Sequence, residues 1–223
     1  MKQYKLHIAF LFLALLHLYA VYANLPNLRF FSKPLICISL IFILYKETGL
    51  KKNIEKLVAV GLFFGCLGDI FLMLNENMFV AGLASFLIGH ILYVIAFSKQ
   101  TSAKALSKHK SYILIAGILA SFSYYLYSIL KPSLGPLKIP VILYIIVIAA
   151  MAFFAYTRRY QTNTLSFIIC LIGALLFIFS DSILALNKFV AYLANSGLYI
   201  MSSYILAQYF ITLGIILDKK TRP

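Results

Sequence analysis

Long apolar runs separated by short polar segments set the pattern of this chain from end to end. A helix needs roughly 17 to 25 mostly apolar residues to cross a bilayer. The runs predict eight such helices, over about residues 6–23, 31–45, 57–74, 78–98, 112–130, 139–157, 165–186 and 192–217. The second is the shortest in apolar terms. Its core "PLICISLIFILY" is 12 residues and spans only if "LRFF" joins it and Lys33 snorkels toward the interface. Pro34 suits the start of that helix, where its missing N–H costs nothing. The opening "MKQYKLHIAFLFLALLHLYAVYAN" also has the basic start, apolar stretch and small-residue end of a signal peptide. It is read here as a retained first span, as in many polytopic chains.

Composition agrees with the pattern. The 223 residues are 63% hydrophobic and only 12% charged, outside the range of soluble domains. The fold class expected is all-α: a single polytopic transmembrane domain of about eight helices. A net charge of +14 would otherwise point to nucleic acid or a membrane surface, but the basic residues sit almost entirely between the apolar runs, so no nucleic acid is expected. The N-terminus, the loops after spans 2, 4 and 6, and the C-terminus carry 15 of the 20 lysines and arginines. That bias places both termini in the cytoplasm, and the very short loops fit a bacterial inner membrane. Cys37, Cys66 and Cys170 lie within apolar runs and read as small buried hydrophobes rather than as disulfides or metal ligands.

The chain also echoes itself. "GDIFLMLN" at 68–75 and "SDSILALN" at 180–187 share an aspartate followed six residues on by an asparagine, and the two aspartates are 112 residues apart, half the chain. Each ends an odd-numbered span. Four helices per half predict two parallel repeats, residues 1–111 and 112–223, related by an axis along the membrane normal.

Of six acidic residues, only Asp69 and Asp181 fall within spans, each five residues before the expected outer end. A carboxylate near the bilayer centre costs about 2.5 to 3.5 kcal/mol on insertion scales unless it faces protein or water. A packing hydrogen bond would explain one such residue; two at matched positions favour a functional site. The spans that follow supply polar company. His90 and Tyr93 share one face of span 4, and Tyr204 and Gln208 share one face of span 8. His17 in span 1 reads as a hydrogen-bonding filler. Gly61, Gly65, Gly68 and Gly89 permit close helix approach.

Several chemistries lack support. There is no G-x-S-x-G elbow for a serine hydrolase, and no third strong ligand beside His90 and His17 for zinc. "CLGD" departs from the GxGD of intramembrane aspartyl proteases at Cys66. No metal or other cofactor is expected. A proton-coupled transporter using Asp69 and Asp181 is the alternative, because tandem repeats with midplane carboxylates are also how carriers are built.

"KPL" at 33–35, "GDIFL" at 68–72, "GHILY" at 89–93, "SDSILALNKF" at 180–189 and "YILAQ" at 204–208 together resemble the YhhN/TMEM86 family of membrane proteins, whose characterised members are lysoplasmalogenases. The resemblance implies hydrolysis of the vinyl ether bond of a lysoplasmalogen, giving a fatty aldehyde and a glycerophospho-headgroup, with a lysophospholipid as partner. The residues suit that reaction. A carboxylic acid must protonate the β-carbon, and a second carboxylate can stabilise the resulting oxocarbenium ion and activate water, as in glycosidases. Asp69 and Asp181 are the expected pair, in either order. His90, Tyr93, Tyr204 and Gln208 would orient them or the water. Lys33, with Asn75 and Asn187, would meet the substrate headgroup, although a snorkelling anchor explains Lys33 equally well.

Overall fold

The computed structural model describes residues 3–102 and 110–218. Its main elements are eight α-helices: α1 (Gln3–Tyr22), α2 (Pro26–Thr48), α3 (Asn53–Leu74), α4 (Phe79–Ser98), α5 (Ser111–Leu130), α6 (Lys138–Thr157), α7 (Thr164–Phe189) and α8 (Ser196–Ile216). Each belongs to a segment long and apolar enough to span a membrane; the chain is a multi-pass membrane protein. It forms two compact units, residues 1–96 and 97–223.

Helix ends follow local chemistry. Pro26 opens α2, with extended Leu25 before it, and Gly49 closes the helix at φ +69°, where its N–H donates to the Tyr45 carbonyl. Glu55, a loop residue by sequence, lies in the first turn of α3 and accepts from the Lys52 N–H at 3.0 Å. That satisfies an otherwise orphaned donor and sets a negative charge at the helix N-terminus. Asn163 caps α7 by accepting from the Ser166 N–H at 2.9 Å.

The second helix corrects the sequence reading. Pro34 lies inside α2, not at its start. Pro26 already holds the starting position, and a membrane helix tolerates an interior proline because neighbouring groups take up the freed backbone. Cys66 Sγ lies 3.6 Å from the Pro34 carbonyl, as donor to it. Arg29 and Lys33 therefore belong to the helix, which at 23 residues is roughly 34 Å long. The boundary between spans 7 and 8 shifts too: α7 runs on to Phe189, and α8 begins at Ser196 after Asn195 at φ +58°. Asp69 keeps its expected place five residues from the end of α3, whereas Asp181 is eight from the end of α7.

Small residues bring the third and fourth helices of each unit together. A Cβ on Gly61 would fall 2.4 Å from the Tyr93 ring, and one on Gly89 would fall 3.1 Å from the Gly61 carbonyl. In the second unit a Cβ on Gly173 would meet the Ala207 carbonyl at 3.0 Å. Gly61 and Gly173 each stand about two turns before the aspartate of their own helix. The crossing thus recurs in both units; Asp69 is buried and Asp181 part-buried.

Candidate active site

In the first unit, α2 and α3 present their polar groups to each other. Lys33 Nζ lies 3.1 Å from Asp69 Oδ1, with the lysine side chain 14% exposed and the aspartate 2%. One helical turn on, Cys37 Sγ is 3.9 Å from the other carboxylate oxygen. Lys33 is therefore no snorkelling anchor, and the ammonium that the sequence offered to a lipid phosphate is committed to a carboxylate of its own unit. This pairing explains how Asp69 is accommodated in a run of apolar residues: a buried charge is tolerated when a cation and donors meet it.

His90 and Tyr93 are both buried on α4, ring edge to ring face at 6.5 Å. His17 links α1 to α2. The Ser32 hydroxyl donates to the Leu28 carbonyl at 2.6 Å, so His17 Nδ1 is the donor in its 2.7 Å bond to Ser32 Oγ.

In the second unit Tyr144 of α6 is a partner of Asp181, its hydroxyl donating to Oδ2 at 2.5 Å. Sequence reasoning missed Tyr144. Its signal was there: it carries the one polar side-chain group in "VILYIIVIAA", and such a group in a span must look for a partner. On α8 the Tyr204 ring packs edge-on against Phe177 at 5.5 Å, and Gln208 Nε2 donates to the Tyr204 hydroxyl at 3.3 Å. Both side chains are buried, as expected.

Asn75 and Asn187, expected at the headgroup, shape the turns that follow their helices. Asn75 Oδ1 accepts from the Asn77 N–H at 2.5 Å, and Asn187 Oδ1 accepts from the Leu193 N–H at 2.9 Å.

A second polar centre was read as loop and tail. Arg158, just past α6, is wholly buried. Its Nε donates to Gln100 Oε1 at 2.7 Å, its Nη2 donates to Ser166 Oγ at 3.0 Å, and its guanidinium lies 5.2 Å from the centre of the Phe97 ring. Gln100 Nε2 in turn donates to Asp218. Ser166 donates to the Gly214 carbonyl at 2.6 Å, and Asn163 Nδ2 donates to the Leu217 carbonyl at 2.7 Å. This network ties the ends of four helices and acts as a brace.

A groove of about 450 Å³ between α5 and α6 is lined by Leu119, Tyr124, Tyr127, Ile146, Ala150 and Phe153 among others. Its lining holds no carboxylate, imidazole or basic group. Among the described residues, no group of three His, Cys, Asp or Glu side chains could hold a metal ion.

The sequence model of the YhhN family matches residues 28–215, a stretch that includes both aspartates and their partners. The chain belongs to the YhhN family. It is similar to the human protein named lysoplasmalogenase TMEM86A, with 31% identity over 164 residues covering 71% of this chain and 65% of that protein. It is likewise 31% identical to lysoplasmalogenase TMEM86B of Sus scrofa, over 163 residues covering 73% of this chain and 64% of that one. The chain spans a little under two thirds of the length of these relatives. No solved structure matches this YhhN-family chain.

Proposed function

We propose that this chain is a lysoplasmalogenase-like hydrolase that cleaves the vinyl ether bond of lysoplasmenyl-ethanolamine and -choline, giving a fatty aldehyde and the glycerophospho-headgroup. The observation that carries this reading is the pair of intramembrane carboxylates, Asp69 and Asp181. Each is held by a polar side chain from the preceding helix of its own unit, and both lie within the family's matched region. Purely structural carboxylates would not need to recur at the same place in both halves. Vinyl ether hydrolysis needs what two carboxyl groups supply: a proton for the β-carbon, and a negative charge to stabilise the cation and turn water onto it. A lipid-walled site makes those electrostatic contributions larger than water would allow.

His90, Tyr93, Tyr204 and Gln208 serve in this reading as the buried groups that orient the carboxylates and water. Asn75 and Asn187 stand near helix ends, where a glycerophospho-headgroup would reside. The two halves are parallel repeats in the same reading, with both termini on the basic, cytoplasmic side of a bacterial inner membrane. The relatives' names support the substrate class.

The test is aldehyde release from lysoplasmenylethanolamine by the purified protein in detergent, with no ion gradient. Wild type should release aldehyde, and Asp69→Asn and Asp181→Asn should each lose at least about a hundredfold. Full activity in both variants would end the proposed chemistry. Movement of substrate into sealed vesicles without any aldehyde would make the chain a carrier instead.

A further inference from the structure

Lys33 is committed to Asp69. Arg29, one turn earlier on the same face of α2, is exposed and makes no hydrogen bond or ion pair among the described residues. Ser32 shares that face and holds His17 of α1 through the 2.7 Å bond from Nδ1. Because Nδ1 carries the proton of that bond, Nε2 of the neutral ring is an acceptor. His17 is 1% exposed, and its Nε2 has no hydrogen-bond partner among the described residues. Buried polar atoms are nearly always satisfied, so this one is an acceptor ready for a donor that a ligand brings. Arg29 and Lys33 both stand close enough to His17 for their charges to act on its ring.

Along about the first two turns of α2, an exposed guanidinium is followed by an imidazole acceptor and then by the Lys33–Asp69 pair. Arg29 stands four residues before Lys33, roughly 6 Å of helix, and nearer the end of the span. A lysophospholipid presents its groups in the same order. Its phosphate sits on one end carbon of the glycerol, nearest the bilayer surface, its free hydroxyl on the middle carbon, and its chain on the other end carbon. In a lysoplasmalogen that chain begins with the vinyl ether.

We propose that Arg29 and His17 form a glycerophosphate subsite on the first unit: the Arg29 guanidinium pairs with the substrate phosphate, His17 Nε2 accepts a hydrogen bond from the free glycerol hydroxyl, and the vinyl ether is thereby set at Asp69. The assignment rests on the lysoplasmalogenase reading above and uses groups of one unit only. A guanidinium forks onto phosphate oxygens with two parallel N–H donors. A site built to bond a substrate hydroxyl rejects the analogue that lacks it, because its own polar group is left buried and unpaired. His17 is thus the residue that requires the middle carbon to carry a free hydroxyl.

The experiment measures aldehyde release by the purified full chain in detergent. The substrates are lysoplasmenylethanolamine, its analogue with hydrogen in place of the middle hydroxyl, and 1-alkenylglycerol, which lacks the phosphate. Wild type should turn over the deoxy analogue with kcat/KM lower by about tenfold or more, and His17→Phe should narrow that difference to within about twofold. Arg29→Gln should raise KM for lysoplasmenylethanolamine by about ten- to a hundredfold, with the loss in KM rather than kcat. Its preference for that substrate over 1-alkenylglycerol should fall by the same factor. A merely structural role, or anchoring of Arg29 among bulk headgroups, would affect all these substrates alike and leave their ratios as in wild type.

Wild-type ratios in Arg29→Gln or in His17→Phe would overturn the subsite. So would equal turnover of the hydroxyl and deoxy substrates by wild type, a result that needs no variant to fold. Wild type without aldehyde from any substrate would instead overturn the lysoplasmalogenase reading. The subsite is then read from binding of the saturated alkyl-ether analogue of lysoplasmenylethanolamine, which has no vinyl group to hydrolyse. Weaker binding in both variants would uphold it, and wild-type binding in either would overturn it.

Discussion

Replacing Arg158 by methionine tests whether the buried network at the ends of α4, α6, α7 and α8 braces the second unit. Methionine keeps much of the volume and removes the charge and every donor. Two hydrogen bonds from a charged donor are lost, to Gln100 at 2.7 Å and to Ser166 at 3.0 Å, at about 1.5–3 kcal/mol each. The contact with the Phe97 ring at 5.2 Å adds about 1 kcal/mol. Two effects oppose these. The guanidinium bears a desolvation cost of several kcal/mol that methionine escapes, and Nη1 has no hydrogen-bond partner among the described residues. The net loss expected is about 2–4 kcal/mol.

For a chain of this length, each kcal/mol moves the melting temperature by about 2–4 °C. Thermal unfolding in detergent, followed by loss of the monodisperse peak, should therefore fall by roughly 5–15 °C. Arg158→Lys should lie between, because one ammonium cannot reproduce the guanidinium fork that serves Gln100 and Ser166 together. Adding Gln100→Leu to Arg158→Met should cost less than the sum of the two single changes, since the same bond is removed twice. A melting temperature for Arg158→Met within about 2 °C of wild type would refute the brace.

Two further expectations rest on packing. Gly173→Ala places a methyl 3.0 Å from the Ala207 carbonyl and the Ile211 N–H nitrogen. Both are backbone atoms that no rotamer can move, so the melting temperature should drop by an amount matching about 1–3 kcal/mol of overpacking, whereas Gly117→Ala, with nothing within 4 Å, should be neutral or stabilising. Cys37 and Cys170 have no exposed surface and should resist a water-soluble maleimide until the protein unfolds, as mass spectrometry of labelled samples would read; rapid labelling of either in folded protein would contradict the packing of α2 on α3 or of α7 on α8.

The number of spans, their rough limits and the presence of two intramembrane carboxylates were legible in the sequence, because each is a local property. A helix declares itself by an unbroken apolar run of sufficient length. A charge inside that run is conspicuous because its desolvation cost needs no neighbour to compute. The buried polar faces of His90 with Tyr93 and of Tyr204 with Gln208 could be read for the same reason, since residues three or four apart share a face of any helix.

The identity of each aspartate's partner was decided only by tertiary structure. Lys33 could be read as a membrane anchor until α2 proved to begin at Pro26 and to carry the lysine inward against α3. Tyr144 looked like one aromatic among many until α6 packed against α7 and set its hydroxyl on Asp181. Arg158 and Asp218 lie outside the apolar runs, as solvated charges would, yet helix packing closes over them and over Gln100. Desolvation and periodicity belong to one segment of chain and can be read along it. Pairing depends on which helices meet and at what register, and here the partners are separated by as many as 118 residues.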